Sequence, residues 1–293
     1  MWLDGRLVEA DKACVPIESH ALHYGTCAFE GIRFYETENG SAVFRLSDHL
    51  KRLRYSARRL GMKGVPTGKD LTEAVIKTVK SSKLTSGYIR PIVFFREGGL
   101  GLSVANSGIG VAVIVLPWKD YLPKGGIAVK TSSWRRISGT AFDPKAKLGG
   151  PYVNSVLAHS EAVKGGASEA LLLDEKGYVA EGPGENVFVV KGKKLMTPAE
   201  GCILPGITRD SIMKIASDRG YTVVERRVRL REVYEADEFF MVGTAAEVTP
   251  VVKLDGSNIG DGTSGSVTGE LASLYKAVVT GGERAYRRWL TDI

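Results

Sequence analysis

Apolar periodicity changes character along this chain, and that change limits the folds open to it. Over the first 118 residues helical and extended patterns alternate. A strand-like run at 41–45 precedes a helix in which Leu50, Leu53, Ala57 and Leu60 recur at helical spacing, with Ser47 as the expected cap. A second helix is predicted over 69–82, with Leu71, Ala74, Val75 and Val79 on one face. Strands at 88–95 and 111–118 then flank a glycine-rich loop at 98–101. Beyond 127 short strands dominate: 127–134, a hairpin of 170–174 with 177–181, then 186–190, 194–196 and 238–242. The helices predicted there span 154–164, 208–219 and 267–279. Many short strands with few helices between them argue for an α+β fold with a barrel-like second part, not a doubly wound sheet. The stretch 119–126 holds Pro123 and two glycines and is the expected interdomain loop. It would separate a small N-terminal α/β domain (1–118) from a larger C-terminal pseudo-barrel domain (127–293).

Composition narrows the function classes. A chain of 293 residues buries enough surface to need no disulfide or metal staple. Its 35 glycines follow no collagen-like period and therefore mark turns and close backbone approaches. The net charge of +7 is scattered. Its denser groups, at 51–59 and 226–231, read as a solvated helix face and a surface strand or loop, so no nucleic-acid partner is expected. Cys14, Cys27 and Cys202 form no Cys-x-x-Cys pair, which points to a reducing, cytoplasmic compartment. His20 and His23 have ligand-like spacing but no acid or cysteine in register, so no metal site is expected. No signal-peptide pattern opens the chain, and the longest aliphatic run, 111–116, is too short for a membrane span. Residues 64–70 imitate a phosphate-binding loop but lack one residue and the closing Ser or Thr; Gly182-Pro183-Gly184 leads into a strand, not a helix.

Three segments carry chemistry. Lys147 sits among small and apolar residues in Ala146-Lys147-Leu148-Gly149-Gly150-Pro151-Tyr152, just before a predicted helix. A desolvated lysine is nucleophilic and suits Schiff-base chemistry; a solvated charge is the alternative. Glu181 ends a predicted strand at a tight glycine-rich bend, with Glu185 four residues on. A carboxylate fixed there can keep a pyridine nitrogen protonated, though a surface loop bearing two acids reads equally well. Leu204 to Asp210 runs from a loop straight into a helix whose first backbone N–H groups can hold a phosphate. The plain alternative is a helix capped by Thr208. Gly243-Thr244-Ala245-Ala246 is a similar small-residue turn after a buried strand. In combination these are the components of a pyridoxal-phosphate site.

The same residues carry a family resemblance that runs nearly end to end. The chain resembles the class IV, fold-type IV pyridoxal-phosphate aminotransferases, and among them the branched-chain amino-acid aminotransferases. The matching stretches are Ser19 to Gly25, Phe29 to Arg33, Tyr88 to Pro91, the lysine segment, Glu181 to Asn186, Leu204 to Asp210 and Gly243 to Glu247. The resemblance implies transamination between Leu, Ile or Val and 2-oxoglutarate by a ping-pong mechanism, with the cofactor passing through its pyridoxamine phosphate form. Lys147 would be the catalytic lysine, borne by the C-terminal domain, and would carry the proton between substrate and cofactor. Glu181 would face the pyridine nitrogen and Tyr152 the phenolic oxygen. Arg52, the Ile207 and Thr208 amides and Thr244 would hold the phosphate. This turns Arg52 inward, against its reading as part of a solvated face.

On the substrate side, Tyr88, Thr244 and Ala245 would meet the α-carboxylate, and Arg90 the second carboxylate of glutamate or 2-oxoglutarate. Phe29, Trp118 and Tyr121, with Tyr24 nearby, would wall an apolar pocket, and Arg33, at the end of the Phe29–Arg33 stretch, would also be substrate-binding. Apolar walls with one arginine at the rim can accept both kinds of side chain. The resemblance also implies a homodimer or larger homo-oligomer with shared sites. Pro151 stands where the family pattern has asparagine, and Pro183 interrupts the glycine loop; both keep Tyr152 and Glu181 in register. A D-amino-acid aminotransferase or an aminodeoxychorismate lyase would share Lys147 and Glu181. A basic nucleic-acid-binding protein would instead need a concentrated Lys/Arg face.

Overall fold

A computed structural model describes residues 1–118, 122–123 and 125–293. Tyr121 and half of the expected loop 119–126 lie outside the described residues. The chain divides into two compact units, the first of Met1–Lys119, Ala146–Pro151 and Val279–Ile293, the second of Asp120–Lys145 and Tyr152–Val278. Consecutive ranges of 1–118 and 127–293 would put the lysine segment and the last fifteen residues in the second unit. Backbone bonding instead ties both to the first. Leu148 bridges Ala28, Gly149 N donates to Cys27 O at 2.8 Å, and strand Leu290–Asp292 pairs with strand Gly40–Phe44.

The first unit is built on an eight-stranded antiparallel sheet. Its order is Leu290–Asp292, Gly40–Phe44, Ile32–Thr37, Gly87–Phe95, Ile109–Leu116, Trp2–Leu3 and Arg6–Leu7, with Cys27–Phe29 also pairing with Gly87–Phe95. Helices Leu46–Arg59 and Gly68–Ser82 pack on each other and on this sheet. Most of the predicted apolar stripes are buried: Leu50, Leu53 and Ala57 on the first, and Leu71, Ala74, Val75 and Val79 on the second, whereas Leu60 is the half-buried C-cap just past the end of the first helix. The second helix starts at a reciprocal cap in which Thr67 and Asp70 each bond the other's backbone N–H. The first helix departs from expectation, because it begins at Leu46 with left-handed Arg45 (φ 49°) at its N-cap, not Ser47. Arg45 N is held by Trp289 O at 2.6 Å and its side chain by Asp48, so the C-terminal segment sets where that helix begins.

The second unit holds a ten-stranded mixed sheet, ordered Thr222–Glu225, Lys194–Thr197, Asn186–Lys191, Glu238–Gly243, Glu247–Leu254, Ile127–Arg135, Glu169–Leu173, Tyr178–Glu181 and Val228–Arg229; Ser257–Asn258 pairs with Glu247–Leu254. Its curl follows from connectivity. The first and last strands of this order are joined by residues 226–227 alone, a gap of at most about 11 Å. A flat sheet would hold nine adjacent strands about 38 Å apart end to end. The sheet must therefore roll into the barrel-like form. One buried cluster fills it, including Val129, Leu171, Val187, Phe239, Met241 and Val251. Strand Glu169–Leu173 is buried on both faces, because Ala170 and Leu172 point the other way, onto Ala158 and Ala162 of helix Tyr152–Lys164.

Candidate active site

In the first unit, the lysine segment lies against strand Cys27–Phe29 at van der Waals range. Lys147 N donates to Ser56 Oγ at 2.9 Å and Lys147 O accepts from Phe29 N at 3.2 Å. Glycine is required on both sides of this contact. A Cβ on Gly149 would overlap Cys27 Sγ, and one on Gly25 would lie 2.6 Å from Gly150 Cα. The backbone of Lys147 is thus fixed, and its Nζ stands 4.9 Å from the centre of the Phe29 ring.

The same ring receives Arg90 at 4.8 Å. Arg90 Nη2 donates to the Tyr88 hydroxyl at 2.7 Å, and the Tyr88 ring stacks on Trp118 at 4.5 Å between centroids. Phe29, Lys147, Arg90, Tyr88 and Trp118 therefore form one connected group. Arg90 Nε is buried without a hydrogen-bond partner among the described residues, a donor suited to an incoming carboxylate. Arg33 is the cross-strand neighbour of Tyr88 and lies over the Tyr35 ring. Tyr24 stands apart from this group: it is exposed, and its hydroxyl donates to Leu100 O.

Arg52 faces inward, with its side chain 13% exposed. Its Nε and Nη2 grip the two oxygens of Glu30 at 2.5 and 2.9 Å, and His49 Nδ1 donates to the same carboxylate at 2.7 Å. Glu30 is fully buried. Burial alone would raise its carboxyl, but Arg52 and His49 outweigh that and hold it far below 4.5. Burial pushes His49 below 6.5 despite the pull of Glu30, with Arg52 and Lys147 acting in the same downward sense. Burial likewise raises the Cys27 thiol, against the Gly149 amide and Arg90.

In the second unit, Glu181 closes strand Tyr178–Glu181 just past a bulge, where the register with Glu169–Leu173 slips between Val179 and Glu181. It is 5% exposed. Its Oε1 accepts from Arg136 Nε at 2.5 Å, and its Oε2 accepts from Asn186 Nδ2 at 3.0 Å and Leu204 N at 3.1 Å. One cation and two neutral donors favour the ionised carboxylate. The following loop folds on itself, with Gly182 N donating to Glu185 O at 2.7 Å and Gly184 N to Glu185 Oε2 at 3.0 Å. The turn 244–246 joins strands Glu238–Gly243 and Glu247–Leu254, and a Cβ at Gly243 would lie 3.2 Å from Gly184 O. This brings Thr244 and Ala245 beside the Glu181–Asn186 loop.

Helix Ile207–Asp218 begins one residue earlier than predicted. Its N-cap is Gly206, which contributes no side-chain bond, so Thr208 is an N-terminal helical residue, not the cap. Ile207 and Thr208 are both buried in the first turn. Tyr152 opens helix Tyr152–Lys164 and is half-buried.

The partners that sequence reasoning missed are Glu30, His49, Ser56, Arg136 and Asn186. The available signal was an acid inside an apolar segment, between Phe29 and Ile32, and an amide opening an otherwise apolar strand at 186. Arg136 carries no local signal. Among the described residues, no three metal-ligating side chains cluster, and no helix is long and apolar enough to cross a membrane.

The class IV aminotransferase family matches residues 27–254. The branched-chain-amino-acid aminotransferase of Pseudomonas aeruginosa is 42% identical over 99% of this chain and 96% of its own length. The solved branched-chain amino acid aminotransferase of T.th., complexed with N-(5'-phosphopyridoxyl)-L-glutamate, is 45% identical, covering 99% of this chain and 97% of that one, with a TM-score of 0.95. The branched-chain aminotransferase of Thermoproteus uzoniensis, solved with norvaline, is 40% identical over the same shares, again with a TM-score of 0.95. With family matches of this extent, and with an anchored lysine and a buried, donor-ringed carboxylate in its fold, the chain belongs to the class IV aminotransferases.

Proposed function

We propose that this chain is a branched-chain-amino-acid aminotransferase, exchanging an amino group between Leu, Ile or Val and 2-oxoglutarate in two half-reactions. The observation that carries the reading is the group around Lys147: a lysine fixed at its backbone with its amine over Phe29, beside an arginine with a buried unsatisfied donor and a tyrosine hydroxyl.

The donor set fits pyridoxal 5'-phosphate, which supplies an electrophilic carbon and an electron-withdrawing ring when bound. Lys147 Nζ would hold it and, when free, would take the proton from the substrate Cα. Glu181, kept ionised by Arg136, Asn186 and Leu204 N, accepts a pyridine N–H. Arg52, whose geometry Glu30 and His49 fix, holds phosphate together with the Ile207 and Thr208 amides and Thr244. Tyr152 meets the phenolic oxygen. Tyr88, Thr244 and Ala245 orient the α-carboxylate. Arg90 takes the second carboxylate of a glutamate-type substrate, while Phe29 and Trp118 exclude water from an apolar one, with Arg33 beside Tyr88 on the neighbouring strand.

The enzyme is read as cytoplasmic, and helix Tyr152–Lys164 exposes Val153, Val156, Leu157 and Val163, which supports a homodimer or larger homo-oligomer. Size-exclusion chromatography with light scattering would return a multiple of the 31.6 kDa protomer. The decisive experiment is an absorbance titration with pyridoxal phosphate, wild type against Lys147→Ala. The wild type should develop a visible band that shifts on adding L-leucine or L-valine, and the variant should not. Protein that stays colourless overturns the reading, and turnover of D-leucine alone moves it to a D-amino-acid aminotransferase.

A further inference from the structure

Asn186 is the first residue of strand Asn186–Lys191 and is 6% exposed. An amide nitrogen carries two hydrogens, and both are committed here. One goes to Glu181 Oε2 at 3.0 Å and the other to Leu204 O at 2.9 Å. Leu204 N returns to the same Glu181 oxygen at 3.1 Å, so Glu181, Asn186 and Leu204 close a three-membered ring of hydrogen bonds. Pro205 then fixes the chain direction into Gly206, the N-cap of helix Ile207–Asp218.

Gly206 has φ −70° and ψ 135°, a conformation open to any residue, so its backbone angles do not explain the glycine. Space does, because a Cβ there would overlap Asn186 Oδ1. The oxygen of the amide therefore packs on the helix N-cap while its nitrogen holds the Glu181 carboxylate. One side chain spans both.

Resting on the functional reading above, in which Glu181 faces the ring nitrogen and the Ile207 and Thr208 amides hold the phosphate, we propose that Asn186 is a positioning residue that couples these two contacts. It fixes the spacing between carboxylate and helix N-terminus, so a disturbance at one end is felt at the other. It touches neither substrate nor cofactor in this role.

The test compares the holoenzyme with Asn186→Ala and Gly206→Ala, the second leaving the asparagine in place but pushing its amide aside. Two signals separate the ends. The ³¹P resonance of bound pyridoxal phosphate reports the phosphate, and the pH midpoint of the visible band reports the ring-nitrogen side. Each variant is expected to weaken cofactor affinity about tenfold or more. Each should also move both signals, with the band midpoint shifting by about one pH unit. Thr208→Ala should move mainly the phosphorus signal and Arg136→Met mainly the band. Either coupling variant moving one signal alone, or losing thermal stability with both unchanged, overturns the proposal. Should Asn186→Ala not fold, Gly206→Ala probes the same coupling from the other side of the contact. A wild type that binds no pyridoxal phosphate would instead sink the functional reading.

Discussion

Replacing Glu30 by glutamine tests whether the first unit depends on a buried charge. The carboxylate is wholly buried, His49 is 2% exposed and Arg52 13%, so solvent cannot take over what the substitution removes. Taking one partner from a buried ion pair costs about 3–5 kcal/mol, against about 0–1 kcal/mol for an exposed pair. Glu30→Gln should therefore lose about 3–5 kcal/mol at pH 7.5 in urea unfolding followed by circular dichroism.

Acid adds a second reading. Glu30 has a folded value depressed below 4.5, so its contribution is complete above 4.5 and disappears as pH falls toward the folded value. His49 is also depressed, below 6.5, so the unfolded chain takes up a proton first and stability falls as pH drops under 6.5. Both groups act in the same direction, and His49→Gln should flatten the slope between 6.5 and 4.5. Pairing Glu30→Gln with Arg52→Met should cost less than the sum of the two, because an apolar replacement has no charge to strand. A Glu30→Gln penalty under about 1 kcal/mol, or strict additivity with Arg52→Met, would refute the reasoning.

Further outcomes follow from close contacts. Gly31→Ala places a Cβ onto the Tyr88 hydroxyl, so KM for both amino donor and 2-oxoglutarate should rise at least about tenfold in steady-state assays, with the fold intact. Arg136→Met removes the 2.5 Å donor from Glu181, and the loss should fall on kcat by about ten- to a hundredfold while KM changes little. Cys202, its thiol pushed up to about 11 chiefly by burial, should resist iodoacetamide at pH 8, whereas exposed Cys14 is alkylated; mass spectrometry of the digest reads this directly.

Sequence patterning reached the helices and the loops that carry backbone donors because those features are local. Leu50, Leu53 and Ala57 declare a buried stripe at helical spacing, and Leu204 to Asp210 declares a helix start. Strands Cys27–Phe29 and Ile32–Thr37 were not legible as strands. They are short and buried on parts of both faces, so no alternation shows. The side chains that arrange the site were hidden for another reason. Glu30 meets Arg52 across 22 residues, Arg136 meets Glu181 across 45, and Lys147 N meets Ser56 across 91. Charge pairing at such separations leaves no periodic trace. The family resemblance supplied Arg52 and the proposed roles of Lys147 and Glu181, but its motifs name the residues expected to touch ligand, not those that steady them.

The pairing of Leu290–Asp292 with Gly40–Phe44 has a consequence for biogenesis. The first unit contains residue 2 and residue 292 in one sheet, and it borrows six residues from the middle of the chain. During synthesis its amino-terminal strands must wait for the last ones to emerge, whereas 152–278 is an unbroken stretch that can order earlier. Truncation before residue 290 should therefore damage the amino-terminal half, where Arg45 and helix Leu46–Arg59 take their start from Trp289.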